Sequence, residues 1–343
     1  MRRRFEGFTR GINLGGWLSQ SDLSLERKEN FIKEEDIAKI REMGLDHVRL
    51  PIDFELVENE KGEETPEGYV YIDRCISWCR KYGLHMVLDL HKTAGYVFDQ
   101  AENCGDFFHS KELQERFWNL WDRLAGRYAK EKDMLAFEIL NEVVDPKMAE
   151  VWNDIAAKAI EVIRKHEKDI WILLGGTRNN NVISIKELRA PADDHIVFNF
   201  HCYDPLIFTH QGAYWIPKMD REFRTEYPKN VDDYIVETRE NVNEEGVGIL
   251  SSMRGKVLGK DFFREFFKEA VEAAKKYDVP LYCGEYGVID QADPEASLRW
   301  FEDIHAVFEE YGISRAAWTY KEMDFGLTGA HYEKQFNAIV KCL

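Results

Sequence analysis

Basic residues are scarce in this sequence relative to acidic ones: 46 lysines and arginines stand against 63 aspartates and glutamates, which gives a formal net charge of −17. An acidic surface repels the phosphate groups of nucleic acids and of anionic membranes. We therefore expect neither nucleic acid nor a membrane as a partner, and a neutral substrate fits the charge better. Simple solubility explains the same charge equally well.

Long apolar runs are also absent. The basic residues Arg2, Arg3 and Arg4 are not followed by an apolar run of seven or more residues, so we expect no signal peptide in this sequence. No stretch approaches the roughly 20 apolar residues of a membrane-spanning helix. We expect either a protein that stays in the cytoplasm or a secreted one whose leader is absent from this sequence.

The cysteines lack the spacing of a metal site. Cys75 and Cys79 are four residues apart on a predicted helix, which is not the spacing of a zinc ribbon. The other four, Cys104, Cys202, Cys283 and Cys342, are scattered. We interpret all six as free, mostly buried thiols and predict no metal site.

Repeats and low-complexity linkers are missing as well, and the chain alternates short apolar runs with amphipathic segments. The alternation predicts parallel strand–helix units. Strands are predicted at 11–15, 46–50, 84–90, 135–141, 170–175, 195–202, 280–285 and 314–319, and helices at 34–43, 69–82, 111–130, 147–166, 260–276, 294–311 and 332–342. Eight strands and a closing helix predict one α/β domain over residues 1–343, a (β/α)8 TIM barrel.

One connection is too long for such a barrel. Nearly 60 residues separate predicted strand six from its helix, where a few would be enough. The segment is rich in aromatic side chains, namely Phe208, Tyr214, Trp215, Phe223, Tyr227 and Tyr234. We therefore predict an inserted subdomain at about 204–259 on the catalytic face, rather than a disordered loop.

The carboxyl ends of six predicted strands carry polar or aromatic side chains. Barrels of this class have their active sites at that end, and polar groups inside strands are costly unless they are paired or functional. The candidate residues are Arg49, His91, Asn141, Glu142, His201, Tyr203, Glu285 and Trp318. Their joint occurrence favours an active site.

Glu142 and Glu285 suit the cleavage of a glycosidic bond. Such a reaction needs one carboxylic acid to protonate the leaving oxygen and a second carboxylate to attack the sugar or activate water. Arg49 beside Glu285 would keep that carboxylate ionised, and Tyr203 would donate a hydrogen bond to it. Neither role requires a cofactor.

The remaining candidates are predicted to bind the sugar. Asn141 would hold the 2-hydroxyl, His91 and His201 would bind hydroxyls or tune the carboxylates, and Trp318 would form a floor under the ring. A metal site built from the histidines and glutamates is the competing interpretation. Arg49 speaks against it, because a guanidinium would repel a cation.

Six motifs in chain order carry a family resemblance. They are Ile12-Asn13-Leu14-Gly15-Gly16-Trp17, Val48-Arg49-Leu50-Pro51, Leu88-Asp89-Leu90-His91, Phe137-Glu138-Ile139-Leu140-Asn141-Glu142, His201-Cys202-Tyr203 and Gly284-Glu285-Tyr286-Gly287. This set resembles glycoside hydrolase family 5, the cellulase family of clan A, and most of all its clostridial endoglucanase C type. Each motif is weak alone, and the ordered set spans nearly the whole chain, from about residue 11 to 320.

The resemblance implies a retaining endo-β-1,4-glucanase without a metal or cofactor, acting on soluble cellulose-type or mixed-linkage β-glucan. By the same resemblance Glu142 is the acid/base and Glu285 the nucleophile, while the other six candidates match the family's substrate-binding positions. We expect a monomer whose partner is a β-glucan oligo- or polysaccharide. The sequence departs from the family pattern at Lys92, where family members often have His or Gly. Because of this difference, the resemblance does not decide which sugar polymer is the substrate.

Three alternatives remain at this point: a β-mannanase of the same family, a non-catalytic sugar-binding barrel, and a metal-dependent barrel hydrolase. Strand alternation also points His47, Asp89 and Glu138 into the barrel, one layer below the candidates. We interpret these three as a buried polar network that supports Arg49 rather than as catalytic groups.

Overall fold

The computed structural model describes residues 3–98 and 106–343, and in it eight parallel strands close into a barrel in chain order. The strands are β1 Arg10–Asn13, β2 His47–Asp53, β3 His85–Lys92, β4 Leu135–Glu138, β5 Trp171–Gly175, β6 Ile196–Cys202, β7 Leu281–Tyr286 and β8 Ser314–Ala317. The predicted barrel and all eight strands are confirmed. β4 ends at Glu138, so Asn141 and Glu142 follow the strand instead of ending it.

Helices surround the barrel. They are α1 Leu25–Asn30, α2 Glu34–Glu42, α3 Pro66–Tyr82, α4 Lys111–Tyr128, α5 Ala149–Arg164, α6 Thr177–Asn180, α7 Leu206–Thr209, α8 Val231–Asn241, α9 Glu244–Ser251, α10 Lys260–Tyr277, α11 Pro294–Tyr311 and α12 Phe336–Cys342. Within the described residues, none of these helices is long and apolar enough to cross a bilayer.

Local sequence explains where the long helices begin and end. α4 follows Ser110 and α11 follows Asp293, and in each case the side chain accepts a hydrogen bond from a backbone N–H of the first turn. α3 and α11 end at Gly83 and Gly312, whose φ angles of 67° and 66° suit glycine best. These signals match the predicted boundaries to within a few residues.

The segment between β5 and β6 differs from a regular barrel unit. It holds α6 and a 3-10 helix at Val182–Glu187, and α6 is a single turn in which Arg178, Asn179 and Asn180 have φ angles of 57°, 55° and 53°. Asparagine tolerates these left-handed angles better than most residues, because its short amide can form hydrogen bonds locally.

The core has two layers. Most buried apolar side chains lie between the strands and the helices. A smaller cluster fills the barrel interior at its amino-terminal end with one residue from each of six strands: Val87, Ala136, Leu173, Val197, Tyr282 and Ala316. Phe5 and Phe8 close this floor, stacked on each other at 4.1 Å between ring centroids.

The long connection after β6 contains α7, α8 and α9, of which α8 and α9 pack against each other. Phe208, Tyr227 and Tyr234 are buried, whereas Tyr214 is 62% exposed and Trp215 38% exposed. The segment therefore has apolar packing of its own and also presents aromatic rings to solvent.

The thiols follow the prediction where the structure describes them. Cys75, Cys79, Cys202 and Cys283 are free and buried, and Cys342 is free and partly buried. Cys104 lies outside the described residues.

Candidate active site

Arg49 is the centre of a buried polar cluster in the barrel mouth. Its Nε and Nη2 atoms donate to both oxygens of Glu138 at 2.7 and 2.8 Å, and Nη2 lies 3.0 Å from Asp89 Oδ2. Its Nη1 atom donates to Glu285 Oε1 at 2.7 Å. One fully buried guanidinium thus compensates three carboxyl groups, an arrangement that survives burial only because the charges are paired.

The lower layer agrees with the predicted support network except at His47. Burial raises the pKa of Glu138 and raises that of Asp89 to about 7, while the Arg49 guanidinium opposes both shifts. His47 does not bind Arg49: its Nδ1 lies 2.7 Å from Asp46 and its Nε2 lies 2.9 Å from the Tyr282 hydroxyl. It sits too near the amino-terminal end of β2 to reach the guanidinium.

Register shifts in the β2–β3 and β6–β7 pairs leave His91 and Gly284 as extra residues in their strands. Such bulges bend a strand and re-aim the side chains around them. At Gly284 the neighbouring strand comes so close that a Cβ atom would lie 2.7 Å from Asn199 Oδ1, which instead accepts the Gly284 N–H at 3.0 Å. The bulge turns Glu285 into the mouth.

Polar groups that can donate hydrogen bonds surround both oxygens of the Glu285 carboxyl group. Arg49 donates to Oε1, the Tyr203 hydroxyl donates to Oε2 at 2.9 Å, and His201 Nδ1 is 3.6 Å from Oε2. Hydrogen bonds and a positive charge both favour the charged form of a carboxyl group. Glu285 is therefore suited to act as a nucleophile.

Glu142 has a different environment. Burial raises its pKa to about 7, and the hydrogen bond from Asn179 partly opposes this shift. His201 Nδ1 is 2.8 Å from Oε1, and Asn179 Nδ2 donates to Oε2 at 2.9 Å. A carboxyl group that titrates near neutrality can both give and take a proton.

His201 is neutral at neutral pH, because burial lowers its pKa to about 4. Its Nδ1 faces carboxylate oxygens, so the proton of the neutral ring belongs on Nδ1. The Nε2 atom is buried without a partner among the described residues. His201 thus donates to Glu142 rather than exchanging protons with it.

His91 and Trp318 form a second wall of the mouth. Their rings are parallel, 5.8 Å apart between centroids, and Asp89 Oδ2 fixes His91 Nδ1 at 2.6 Å. Gly15 makes room for the indole, since a Cβ there would lie 2.7 Å from it. Trp318 is therefore held in place by His91 and by the close approach of Gly15, and its role as a floor under a sugar ring stays a prediction.

Asn141 and Glu142 lie on an irregular segment that hydrogen bonds hold in place. The Asn141 N–H donates to Leu90 O at 3.0 Å, and the Tyr96 hydroxyl donates to Glu142 O at 2.9 Å. Asn141 Oδ1 accepts from Arg49 Nη2 at 2.9 Å, which leaves the amide N–H groups as donors for a substrate hydroxyl.

All eight predicted site residues therefore meet at one end of the barrel, and three further residues join them. Asn13 Oδ1 accepts from Arg49 at 2.9 Å, Asn199 donates to Glu138 at 2.8 Å, and Asn179 binds Glu142. Asn13 and Asn199 are polar residues in apolar strands, and this pattern in the sequence is enough to mark them as candidate site residues. Asn179 lies in a turn, where polar residues are ordinary. Lys92 forms an ion pair with Asp53 at 3.6 Å.

The cluster can bring an acid and a nucleophile to one bond. An oxygen of Glu142 and an oxygen of Glu285 lie within 4.8 Å of each other, and a His201 nitrogen lies within the same distance of both. Ligands of these types and distances also suit a cation in principle, but the Arg49 guanidinium contacts Glu285 directly and opposes one.

Comparisons with known proteins agree with this geometry. The family model described as cellulase, glycosyl hydrolase family 5, matches residues 10–324. The chain is 46% identical to cellodextrinase A of Ruminococcus flavefaciens over 90% of this chain and 84% of that protein, and 40% identical to endoglucanase C of Acetivibrio thermocellus over 93% and 92%. Its fold matches the endoglucanase Cel5A of Thermotoga maritima with a TM-score of 0.75, at 25% identity and 98% and 97% coverage.

Proposed function

We propose that this chain, which belongs to the cellulase family, glycosyl hydrolase family 5, is a retaining endo-β-1,4-glucanase for soluble cellulose-type or mixed-linkage β-glucans. That it is a glycoside hydrolase follows from the family. The single observation that carries the rest is the pair Glu142 and Glu285, with oxygens within 4.8 Å and opposite electrostatic environments.

The spacing of the two carboxyl groups supports retention. Retaining glycosidases hold these groups about 5–5.5 Å apart, whereas inverting ones need about 6.5–9.5 Å to admit a water molecule between them. An oxygen of Glu142 and an oxygen of Glu285 lie within 4.8 Å of each other, and this short approach fits the smaller separation better. Glu285 therefore attacks the anomeric carbon directly.

Each step then follows from the local charges. Glu285 forms a bond to the anomeric carbon while the bond to the leaving oxygen breaks, and Glu142 gives its proton to that oxygen. The ester on Glu285 is neutral, which removes the negative charge that favoured a protonated Glu142. Glu142 then takes a proton from water, and the resulting hydroxyl displaces Glu285 from the sugar.

The inserted segment 204–259 supports action along a chain. Ala213 packs with Trp318 and Phe325 in one small apolar cluster beside the mouth. The Trp215 ring lies 6.3 Å from the Phe325 ring, which in turn lies 5.7 Å from the Tyr203 ring. We propose that this segment is a subdomain that forms one wall of the cleft.

One relative is named a cellodextrinase and the other an endoglucanase, and both names fit the proposed class of substrate. Product analysis on carboxymethylcellulose, barley β-glucan, xyloglucan and mannan tests the substrate. We expect internal cleavage of the first two, with mixed-linkage glucan cut at least as well. Glucose released only from chain ends, or a clear preference for mannan, would contradict the proposal.

The stereochemistry has its own test. We expect NMR spectra taken before mutarotation to show a β-configured first product, and a 2-fluoro cellobioside to leave a covalent adduct on Glu285. A first product in the α configuration refutes retention, and activity that a chelator abolishes would favour the metal-dependent alternative.

A further inference from the structure

The acid/base candidate Glu142 is held from two sides, and one side comes from an unusual turn. His201 reaches Oε1 from β6, and Asn179 donates to Oε2 at 2.9 Å from α6. Rotation of the carboxyl group about its last bond would break both contacts. The direction in which Glu142 presents its oxygens is therefore fixed before any substrate binds.

The turn that carries Asn179 is strained. Three consecutive residues other than glycine, Arg178, Asn179 and Asn180, have φ angles between 53° and 57°. Such angles cost on the order of 1 kcal/mol per residue and occur mostly where the surroundings enforce them. A helix at this place would carry Asn179 away from the barrel mouth, so the left-handed turn and the contact to Glu142 belong together.

The surroundings that enforce the turn can be named. The N–H groups of Arg178 and Asn179 donate to Val144 and Val143, the residues that follow Glu142. Gly175 lies under the turn, where a Cβ would be 2.3 Å from Asn180 Oδ1. The turn and the segment after β4 thus form one unit that fixes the distance from Asn179 to Glu142.

We propose that Asn179 is a positioning residue for catalysis: it orients the Glu142 carboxyl group and keeps it able to ionise for the second step of the reaction. This proposal rests on the function proposed above. The contact matters most when Glu142 is a base, because an amide N–H binds a carboxylate more strongly than a protonated acid. Without Asn179, Glu142 would retain its proton to higher pH.

Other charged or titratable groups surround Glu142 and stay in place when Asn179 is changed. They are Arg49 on β2, Asp89 on β3, Tyr96 after β3, His201 on β6, Tyr203 after β6 and Glu285 on β7. Their effects are common to the wild type and its variants, so a difference between these proteins reports on the amide itself.

The variant Asn179→Gly tests the proposal, because glycine adopts the left-handed angle without strain and lacks the amide. Arg178→Gly is the matched control: it changes the neighbouring residue of the same turn, whose side chain binds Glu245 at 2.7 Å. In Asn179→Gly we expect the alkaline limb of kcat/KM to move up by about one pH unit. The control should leave it unchanged.

A substrate with a good leaving group separates the two steps. With 2,4-dinitrophenyl cellobioside the leaving group needs no proton, so kcat reports the second step, in which Glu142 is the base. We expect this kcat to be about tenfold lower in Asn179→Gly than in the wild type at pH 5. The difference should disappear as the pH rises and Glu142 ionises in both proteins. An unmoved limb, or equal shifts in both variants, would overturn the role of the amide.

The protonation of Glu142 can also be followed without substrate. Infrared titration of the carboxyl signal that Glu142→Gln lacks gives its pKa directly in the folded protein. A higher pKa in Asn179→Gly supports the proposal even if the protein cleaves no β-glucan, a result that would contradict the proposed function alone. An unchanged pKa contradicts the proposal on Asn179.

Discussion

Three glutamates near Arg49 differ in what they face, and this difference predicts their roles. Glu142 and Glu285 line the mouth, whereas Glu138 lies below with both oxygens on the guanidinium. Glu142→Gln and Glu285→Gln should each lower kcat by several orders of magnitude, because each removes a reacting group. Unfolding in urea should be nearly unchanged for Glu142→Gln, whereas Glu285→Gln should also lose stability because it removes one of the charges that compensate Arg49.

Glu138→Gln should act on stability instead. Its amide nitrogen would face the Arg49 donors, so the buried guanidinium would lose a compensating charge at a cost of about 3 kcal/mol. Urea unfolding and kcat measured on the same preparation distinguish the two roles. A stable but inactive Glu138→Gln, found beside an active Glu285→Gln, would reverse the assignment of Glu138 and Glu285.

The candidate site could be predicted to the extent that its residues follow strands. Arg49, His91 and Glu285 interrupt apolar strands, and parallel strands bring their carboxyl ends together. The two bulges at His91 and Gly284 could not be predicted, because they depend on the register of neighbouring strands. Asn179 could not be predicted either, since its role arises from a left-handed turn that leaves no periodic pattern.

Among the described elements, the insertion with α7, α8 and α9 presents two exposed aromatic rings, Tyr214 and Trp215. We predict that Trp215→Ala raises KM for cellopentaose about fivefold to tenfold, because stacking on an aromatic ring is worth about 1 kcal/mol. Hydrolysis of a short aryl cellobioside should change little. Val236→Ala, at a residue of α8 that is 52% exposed, is the control. Equal losses on both substrates would indicate a folding role.

Long helices and buried strands follow from the sequence, whereas the connection from β5 to β6 does not. α3 and α11 combine an apolar face with a glycine stop, so both periodicity and end signals were present. In the β5–β6 connection the side chains are mostly polar and the backbone departs from both regular periods. The energy that fixes this segment comes from contacts with Val143 and Val144, far away in sequence.

At the scale of the whole molecule, the two ends of the barrel have separate tasks. The polar cluster around Arg49 occupies one end, and Phe5 and Phe8 seal the other with less than 3% of each exposed. Phe8→Ala should lower the free energy of unfolding by about 3 kcal/mol, as expected for an aromatic core truncation. The kcat on β-glucan should be unchanged under conditions where the variant is folded. A large loss of kcat in folded Phe8→Ala would show that the floor and the mouth are coupled.

That same floor sets an order on biosynthesis. Phe5 rests edge-on against Tyr282, and Arg10–Ile12 of β1 pairs with residues 315–317 of β8. The ribosome makes β1 before β8, so β1 must wait for the strand with which it pairs. During that interval β1 has an unpaired edge and two phenylalanines without their cover. The ring therefore closes only when β8 has emerged, and until then the β1 edge and the two phenylalanine rings are open to contacts with other chains.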